Sequence, residues 1–178
     1  TTTLDGSNKG RNYSDIAVTP SGNVYCVGSN YKGGGSYFDD FFRLDPTTGQ
    51  AVSSVLSFNP RGKEINALVA ASDTTLYAIE GGWNNQNNPH LIEITLDAAG
   101  DYLSSTDLGQ IDGTTGTSGG DLVELNGGLF AAALGGGDNI YQIDPTNPSS
   151  ASQIVQTDKS NIAGLAWDYD TSELLAGL

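Results

Sequence analysis

Short apolar runs separated by clusters of Gly, Asn, Ser and Thr recur along the whole of this chain. Within several runs apolar and polar residues alternate, as in FFRLD at 41–45, LIEIT at 91–95 and IYQID at 140–144. A period of two sends successive side chains to opposite faces of a strand. No stretch carries the 3.6-residue apolar spacing of a long amphipathic helix, so strands are the expected element throughout. Three alternating runs sit inside phrases that nearly repeat: FRLDPTTGQ at 42–50, IEITLDAAGD at 92–101 and YQIDPTNPS at 141–149. Leu44, Ile94 and Ile143 hold one position in these phrases, at intervals of 50 and 49 residues. Tyr25, Tyr77, Phe130 and Leu175, in GNVYCVG, TTLYAIEGG, GGLFAAALGGG and SELLAGL, supply a second landmark with intervals of 52, 53 and 45.

One period has a constant internal order. An apolar run opens on Asp or Asn (DIAV at 15, NALVA at 66, DLVEL at 121, NIAGLAW at 161), passes through a turn and returns as a second run. A Gly- and Asn-rich loop follows, then the alternating strand, a DPTTG-type turn and a last strand (AVSSVLSF, YLSSTDLG, ASQIVQT). Proline presets φ at the second turn position, and the preceding Asp can accept a bond from nearby backbone N–H groups. Each period therefore predicts four antiparallel strands. Units of this kind, recurring every 40 to 50 residues or so, are the sequence mark of a β-propeller.

Over nearly its whole length the chain resembles β-propellers, the NHL-like, YVTN-like and quinoprotein-like groups above all, through its "strand, D-P-x-T-G, strand" turn. LDPTTG at 44–49 also resembles part of the tryptophan-docking motif of quinoprotein repeats. The tryptophan that ends that motif is missing here and the later copies lose the Thr-Gly pair, so no quinone cofactor is expected. The resemblance implies an all-β propeller of four-stranded antiparallel blades, about 3.5 to 4 of them in this chain. The blades are expected near 15–60, 65–112 and 119–158, with a partial one at 161–178 and an outer strand of a preceding blade at 1–5. That gives fifteen strands where four complete blades need sixteen. A piece of a larger propeller, or a ring completed by a second chain, is accordingly expected ahead of a self-closed four-bladed monomer.

At 178 residues and 37% hydrophobic content the chain can bury a core, which sets it apart from disordered sequences. Seven basic residues against 21 acidic ones give a formal charge of −14, which repels nucleic acid and anionic lipid. No apolar run is long enough for a helical membrane span, so no membrane insertion is expected. The absence of methionine and the TTTLDG opening suggest a processed or excised piece of a longer precursor, and the acidity suggests an extracytoplasmic, secreted setting. The one cysteine, Cys26, cannot form an internal disulfide and reads as a small buried hydrophobe. Asn12-Tyr13-Ser14 has the form of a glycosylation acceptor.

The candidate chemistry gathers on one face. In a propeller the loop that enters the innermost strand and the loop between the second and third strands share a face. The entering position holds Asp15, Asn66, Asp121 and Asn161, a ring of oxygen donors that suits a hard cation such as calcium. Asp and Asn also satisfy backbone groups at turns, and that reading competes with the metal. The loops at 28–40 and 80–90 are long; the second joins Trp83 to Asn84, Asn85 and Gln86, and the first brings Tyr31 and Tyr37. An aromatic platform beside planar amides fits a polyol or glycan. For catalysis the sequence offers only His90, with Glu80, Asp39, Asp40 and Asp138 as acids that could pair. The expectation is a non-enzymatic ligand-binding or protein-interaction module working through the loop face. Its alternative is a propeller hydrolase or lyase acting on a sugar or small polar substrate through Glu80, Asp39, Asp40 and His90.

Overall fold

The structure is a computed structural model that describes residues 12–31, 37–56, 58, 65–80, 89–111, 118–125, 128, 130–134, 139–156, 162 and 164–177. Within these residues the chain is strand and turn, apart from one 3-10 turn at Pro148–Ser150. The first sheet runs in order through β1 (Asn12–Val18), β2 (Val24–Tyr31), β3 (Tyr37–Leu44) and β4 (Ala51–Leu56). The second repeats that order with β5 (Ile65–Ala70), β6 (Thr75–Glu80), β7 (His90–Leu96) and β8 (Tyr102–Gln110). The third has β9 (Ser118–Glu124), β10 (Phe130–Leu134), β11 (Asn139–Ile143) and β12 (Ser152–Gln156). A two-stranded sheet of β13 (Gly164–Asp168) and β14 (Glu173–Gly177) follows. Every pairing is antiparallel. The first strands of successive sheets lie side by side, β1 by β5, β5 by β9 and β9 by β13, with β1 also approaching β9. The fold is all-β and is a partial propeller whose blades are these sheets.

Strand alternation turns the sequence pattern into blade stacking. Tyr25, Val27 and Phe41 of the first blade meet Leu68, Leu76, Ala78, Ile92 and Ile94 of the second in one buried cluster. The other face of the second blade, Ala67, Ile79 and Leu91, meets Leu122, Phe130, Ala132, Tyr141 and Ile143 of the third. Val123, Leu125 and Ile140 on the far side of the third then pack with Ile162, Leu165 and Leu174. The second blade is thus apolar on both faces, which is why its inner strands β5 and β6 read as near-continuous apolar runs. Aromatic rings thicken the first interface: Phe41 stacks on Tyr25 at 5.4 Å and is flanked by Phe58 and Tyr102 at 5.5 and 6.0 Å.

The register corrects one repeat landmark. Val24 pairs with Leu44, Leu76 with Ile94 and Phe130 with Ile143. Phe130 therefore matches Val24 and Leu76, while Tyr25 and Tyr77 match Ala131. Phe130 faces the second blade and touches Tyr77 across the interface at 4.8 Å, whereas Tyr25 and Tyr77 face the blade that follows their own. Aromatic character made Phe130 look like the tyrosines, yet a one-residue slip moves a side chain to the opposite face.

The loop expected at 28–40 is also shorter than its composition suggests. β2 runs to Tyr31 and β3 starts at Tyr37, so Gly28 and Asp40 form a rung of the ladder. Likewise Glu80 and His90 pair with each other as the last rung between β6 and β7. Main-chain pairing needs no apolar side chains, so it continues into segments that look like loop.

Candidate functional site

The two ends of the blades treat aspartate in opposite ways. At the end holding the β1–β2 and β3–β4 turns, the repeated Asp side chains close their own turns. Asp45 Oδ1 accepts from the N–H of Thr47 at 2.7 Å, Asp97 from Ala99 at 2.9 Å, Asp144 from Thr146 at 2.8 Å and Asp168 from Asp170 at 2.9 Å. These bonds, preceded at Asp144 by one from the Thr146 hydroxyl at 2.7 Å, favour the ionised form and hold Asp45, Asp144 and Asp168 below the ordinary carboxylate range. Asp73 reaches across instead and accepts from the N–H of Ser21 in the first blade at 2.7 Å. Beside it, Arg43 Nη1 donates to the Ala99 carbonyl at 2.7 Å and lies 3.3 Å from Asp101, while Tyr25 Oη donates to the Gly100 carbonyl at 2.7 Å. Gly100 has φ +81°, and a Cβ there would come within 2.8 Å of Tyr25 Oη, so glycine is required at this junction.

At the other end, where the innermost strands begin, the aspartates are partly buried. Asp15 Oδ1 accepts from Ile16 N–H and Oδ2 from Leu68 N–H of the next blade, both at 2.7 Å. Asp121 repeats the arrangement, with Oδ1 accepting from Leu122 at 2.7 Å and Oδ2 from Leu165 of the following blade at 2.5 Å. Leu68 and Leu165 hold the same repeat position, since they pair with Ala78 and Ala176. Each carboxylate joins two neighbouring blades near the axis. Burial pushes the Asp15 carboxyl up to about 7 against the lowering effect of its two N–H donors, and the charge of Asp121 raises it further. Burial likewise raises Asp121 against the bonds from Leu165 and Leu122.

The remaining positions singled out in the sequence divide by place. Asn66 lies in the bulge between the Ile65 and Ala67 rungs, whereas Asp15 and Asp121 stand one residue further along their strands, directly before Ile16 and Leu122. Tyr31 and Tyr37 form the last rung between β2 and β3, and Asp39 pairs with Ser29. Asp40 and Glu80 are buried at the same end of their blades. His90 Nδ1 is 2.9 Å from Asp107 Oδ1, a partner on β8. Asp107 did not stand out in the sequence; only the β7–β8 pairing brings it to His90. Trp83, Asn84, Asn85, Gln86, Asp138 and Asn161 lie outside the described residues. Among the described residues no group of three or more His, Cys, Asp or Glu side chains is placed to hold a metal ion. Cys26 is buried with Phe42 and Leu44, and burial, with the Asp15 charge adding to it, drives its thiol up to about 12.

No family model matches the chain. No curated protein matches it in sequence. Its backbone does resemble solved structures. A luciferin-regenerating enzyme superposes with a TM-score of 0.65 at 16% identity, covering 88% of this chain and 50% of that one. A protein of unknown function from Bacteroides caccae gives 0.58 at 15% identity, over 95% and 54%. Sqt1 of Chaetomium thermophilum gives 0.58 at 14% identity, over 95% and 42%. The chain spans about half the length of these structures. At such identities the likeness carries the propeller fold alone.

Proposed function

We propose that this chain is a non-enzymatic propeller module that binds its ligand on the face where the innermost strands begin. The observation that carries this reading is the contrast between the two ends. At the turn end every described repeat carboxylate closes a turn or joins blades in an exposed setting. At the opposite end Asp15 and Asp121 are partly buried, Asp40 and Glu80 are buried, and His90 pairs with Asp107. Buried and partly buried polar groups beside loops suit a polar binding site.

The ligand that suits this face is rich in donors, a glycan or other polyol, or a protein loop offering hydroxyl and amine groups. Tyr31, Tyr37 and Trp83 would supply ring surface and Asn84, Asn85 and Gln86 the planar amides. Calcium belongs to the same reading, with Asp15, Asn66, Asp121 and Asn161 as its oxygen donors. A cation there has to compete with the backbone N–H groups already bonded to both oxygens of Asp15 and Asp121. An extracytoplasmic, secreted location accords with an acidic surface of this kind.

Glycan-array screening and calorimetric calcium titration test the proposal. Binding that Trp83→Ala or Asp121→Ala abolishes, in variants with unchanged far-UV spectra, supports it; silence in both assays leaves a purely structural module and sinks it. The His90–Asp107 pair favours one second reading, a hydrolase or lyase in which Asp107 orients His90 and Glu80, Asp39 or Asp40 serves as the acid. Substrate turnover lost in both His90→Gln and Glu80→Gln would establish that reading instead.

A further inference from the structure

The ladder between the third and outer strands has the same irregularity in the second and third blades. In β7–β8 the register skips Leu108, between the Leu91–Gly109 and Ile92–Asp107 rungs; in β11–β12 it skips Ile154, between Ile140–Val155 and Tyr141–Gln153. This bulge is therefore part of the repeat. What fills it is not. Asn139, Gln153 and Val155 of the third blade stand where the second has His90, Asp107 and Gly109. Val155 holds its place without a positive φ, whereas Gly109 has φ +122°, a conformation that glycine alone adopts readily. A Cβ on Gly109 would meet nothing within 4 Å, so packing does not call for glycine here; conformation does. With that backbone the Gly109 N–H donates to Asp107 Oδ1 at 2.9 Å, and the same oxygen lies 2.9 Å from His90 Nδ1. Asp107 Oδ2 is 3.2 Å from Nδ1, and the imidazole is only 14% exposed.

We infer that Asp107 and Gly109 are positioning residues that preset His90 as a hydrogen-bond acceptor at Nε2, and that the loop face thereby takes a ligand through a hydroxyl group. An ionised carboxylate can only accept, so a neutral ring beside it keeps its proton on Nδ1 and carries the lone pair on Nε2. The tautomer follows from Asp107 alone, whatever group meets Nε2. Gly109 fixes the carboxylate in turn, since its N–H holds the oxygen that receives the imidazole proton. A group that bonds Nε2 must donate. A polyol hydroxyl does so, and a carboxylate or fully ionised phosphate does not. The inference rests on the reading that this face binds a ligand, and it narrows that ligand to a neutral polyol.

Long-range proton–nitrogen correlation NMR at about pH 8.5, above the ordinary imidazole range, tests it. The chain has one histidine, so both ring nitrogens give unambiguous signals. The expected spectrum shows a protonated Nδ1 and an unprotonated Nε2. Asp107→Asn and Gly109→Val should each move the ring towards the Nε2–H form, which a merely structural role for either residue would not do. Valine already fills the equivalent bulge in the third blade, so Gly109→Val should keep the fold, and its far-UV spectrum reports that. Titration with myo-inositol and methyl glucoside should shift the Nε2 signal saturably, with affinity lowered about tenfold in Asp107→Asn; acetate and inorganic phosphate should leave it in place. An Nε2–H ring in the wild type, or a tautomer that neither substitution moves, overturns the inference and leaves the loop-face reading standing. A shift caused by the anions and not by the polyols overturns the assigned ligand class. The expected tautomer with no response to any probe overturns that class and the loop-face reading together.

Discussion

Replacing Asp15 by Asn should make the stability of this protein less dependent on pH between 4.5 and 8. Asp15 has a carboxyl pushed from 3.8 to about 7 in the folded chain, by burial first and by the charge of Asp121 in addition. Below the unfolded value both states hold the proton and the full contribution of the neutral acid is present. Between the two values the unfolded chain ionises while the native one does not, and native stability falls as pH rises. Above the folded value both states are ionised and the penalty is constant. Moving the carboxyl from 3.8 to about 7 bounds the loss at about 4 kcal/mol, and partial solvent screening brings it to about 2–4 kcal/mol.

Neighbouring groups set the window in which this is visible. Asp121 is raised by burial as well and leaves a residual slope of the same sign in the variant. Cys26, the other titratable group coupled to Asp15, ionises only near 12. Asp45, Asp73, Asp144 and Asp168 act in the opposite sense: their carboxylates are lowered by turn and cross-blade bonds, so their contribution is present above the ordinary carboxylate value and lost as pH falls below it. Glu124 is raised by burial too and adds a slope of the same sign; urea unfolding at pH 4.5, 6 and 8 therefore reads these raised carboxyls, and the difference between wild type and variant isolates Asp15. Asn keeps one acceptor oxygen but turns an amide towards an N–H donor, so the variant starts from lower stability at pH 4.5. Its signature is the slope. A wild type no less stable at pH 8 than at pH 4.5, or an Asp15→Asn slope equal to that of the wild type, refutes the reasoning.

Other perturbations have outcomes of similar definiteness. Tyr25→Phe leaves the Gly100 carbonyl without its donor and should cost about 1–2 kcal/mol in chemical unfolding. Gly100→Ala forces a left-handed backbone on alanine and a Cβ onto Tyr25 Oη, so it should cost about 2 kcal/mol or more, and in double-mutant cycles the pair should be non-additive. Phe130→Ala empties the centre of the second interface and should cost about 3–5 kcal/mol, read from the denaturant midpoint. Cys26 should react with a thiol reagent only at the rate of unfolding, because its thiol is buried and its ionisation strongly raised.

The propeller was legible because its blades repeat and because strand alternation is local. Leu44, Ile94 and Ile143, aligned by the alternating runs FFRLD, LIEIT and IYQID, occupy one rung in three sheets. The slip at Phe130 came from matching side-chain type in GGLFAAALGGG, where small residues give the pattern little to register on. The Asx turns at Asp45 and Asp144 were readable from a bond spanning two residues. The partners that define the other end were not. Asp15 finds Leu68 across 53 positions, Asp121 finds Leu165 across 44 and His90 finds Asp107 across 17. Such bonds depend on how blades stack and how outer strands pair, which no short window of sequence contains.

That division bears on where function should be sought. A residue that recurs at a repeat position can be accounted for by the repeat itself: Asp15 and Asp121 both bond the inner strand of the following blade, and the blades need that whatever the protein binds. A residue without a counterpart has no such account. His90 occupies the rung held by Asp40 in the first blade, and its partner Asp107 stands where the first blade has Ser54. Ligand specificity should therefore respond most to these unrepeated positions and blade cohesion to the repeated ones. Comparing His90→Gln and Asp107→Asn with Asp15→Asn by both unfolding and binding separates the two. If the unrepeated substitutions lower stability as much as Asp15→Asn at pH 4.5 while leaving binding intact, the assignment of function to departures from the repeat fails.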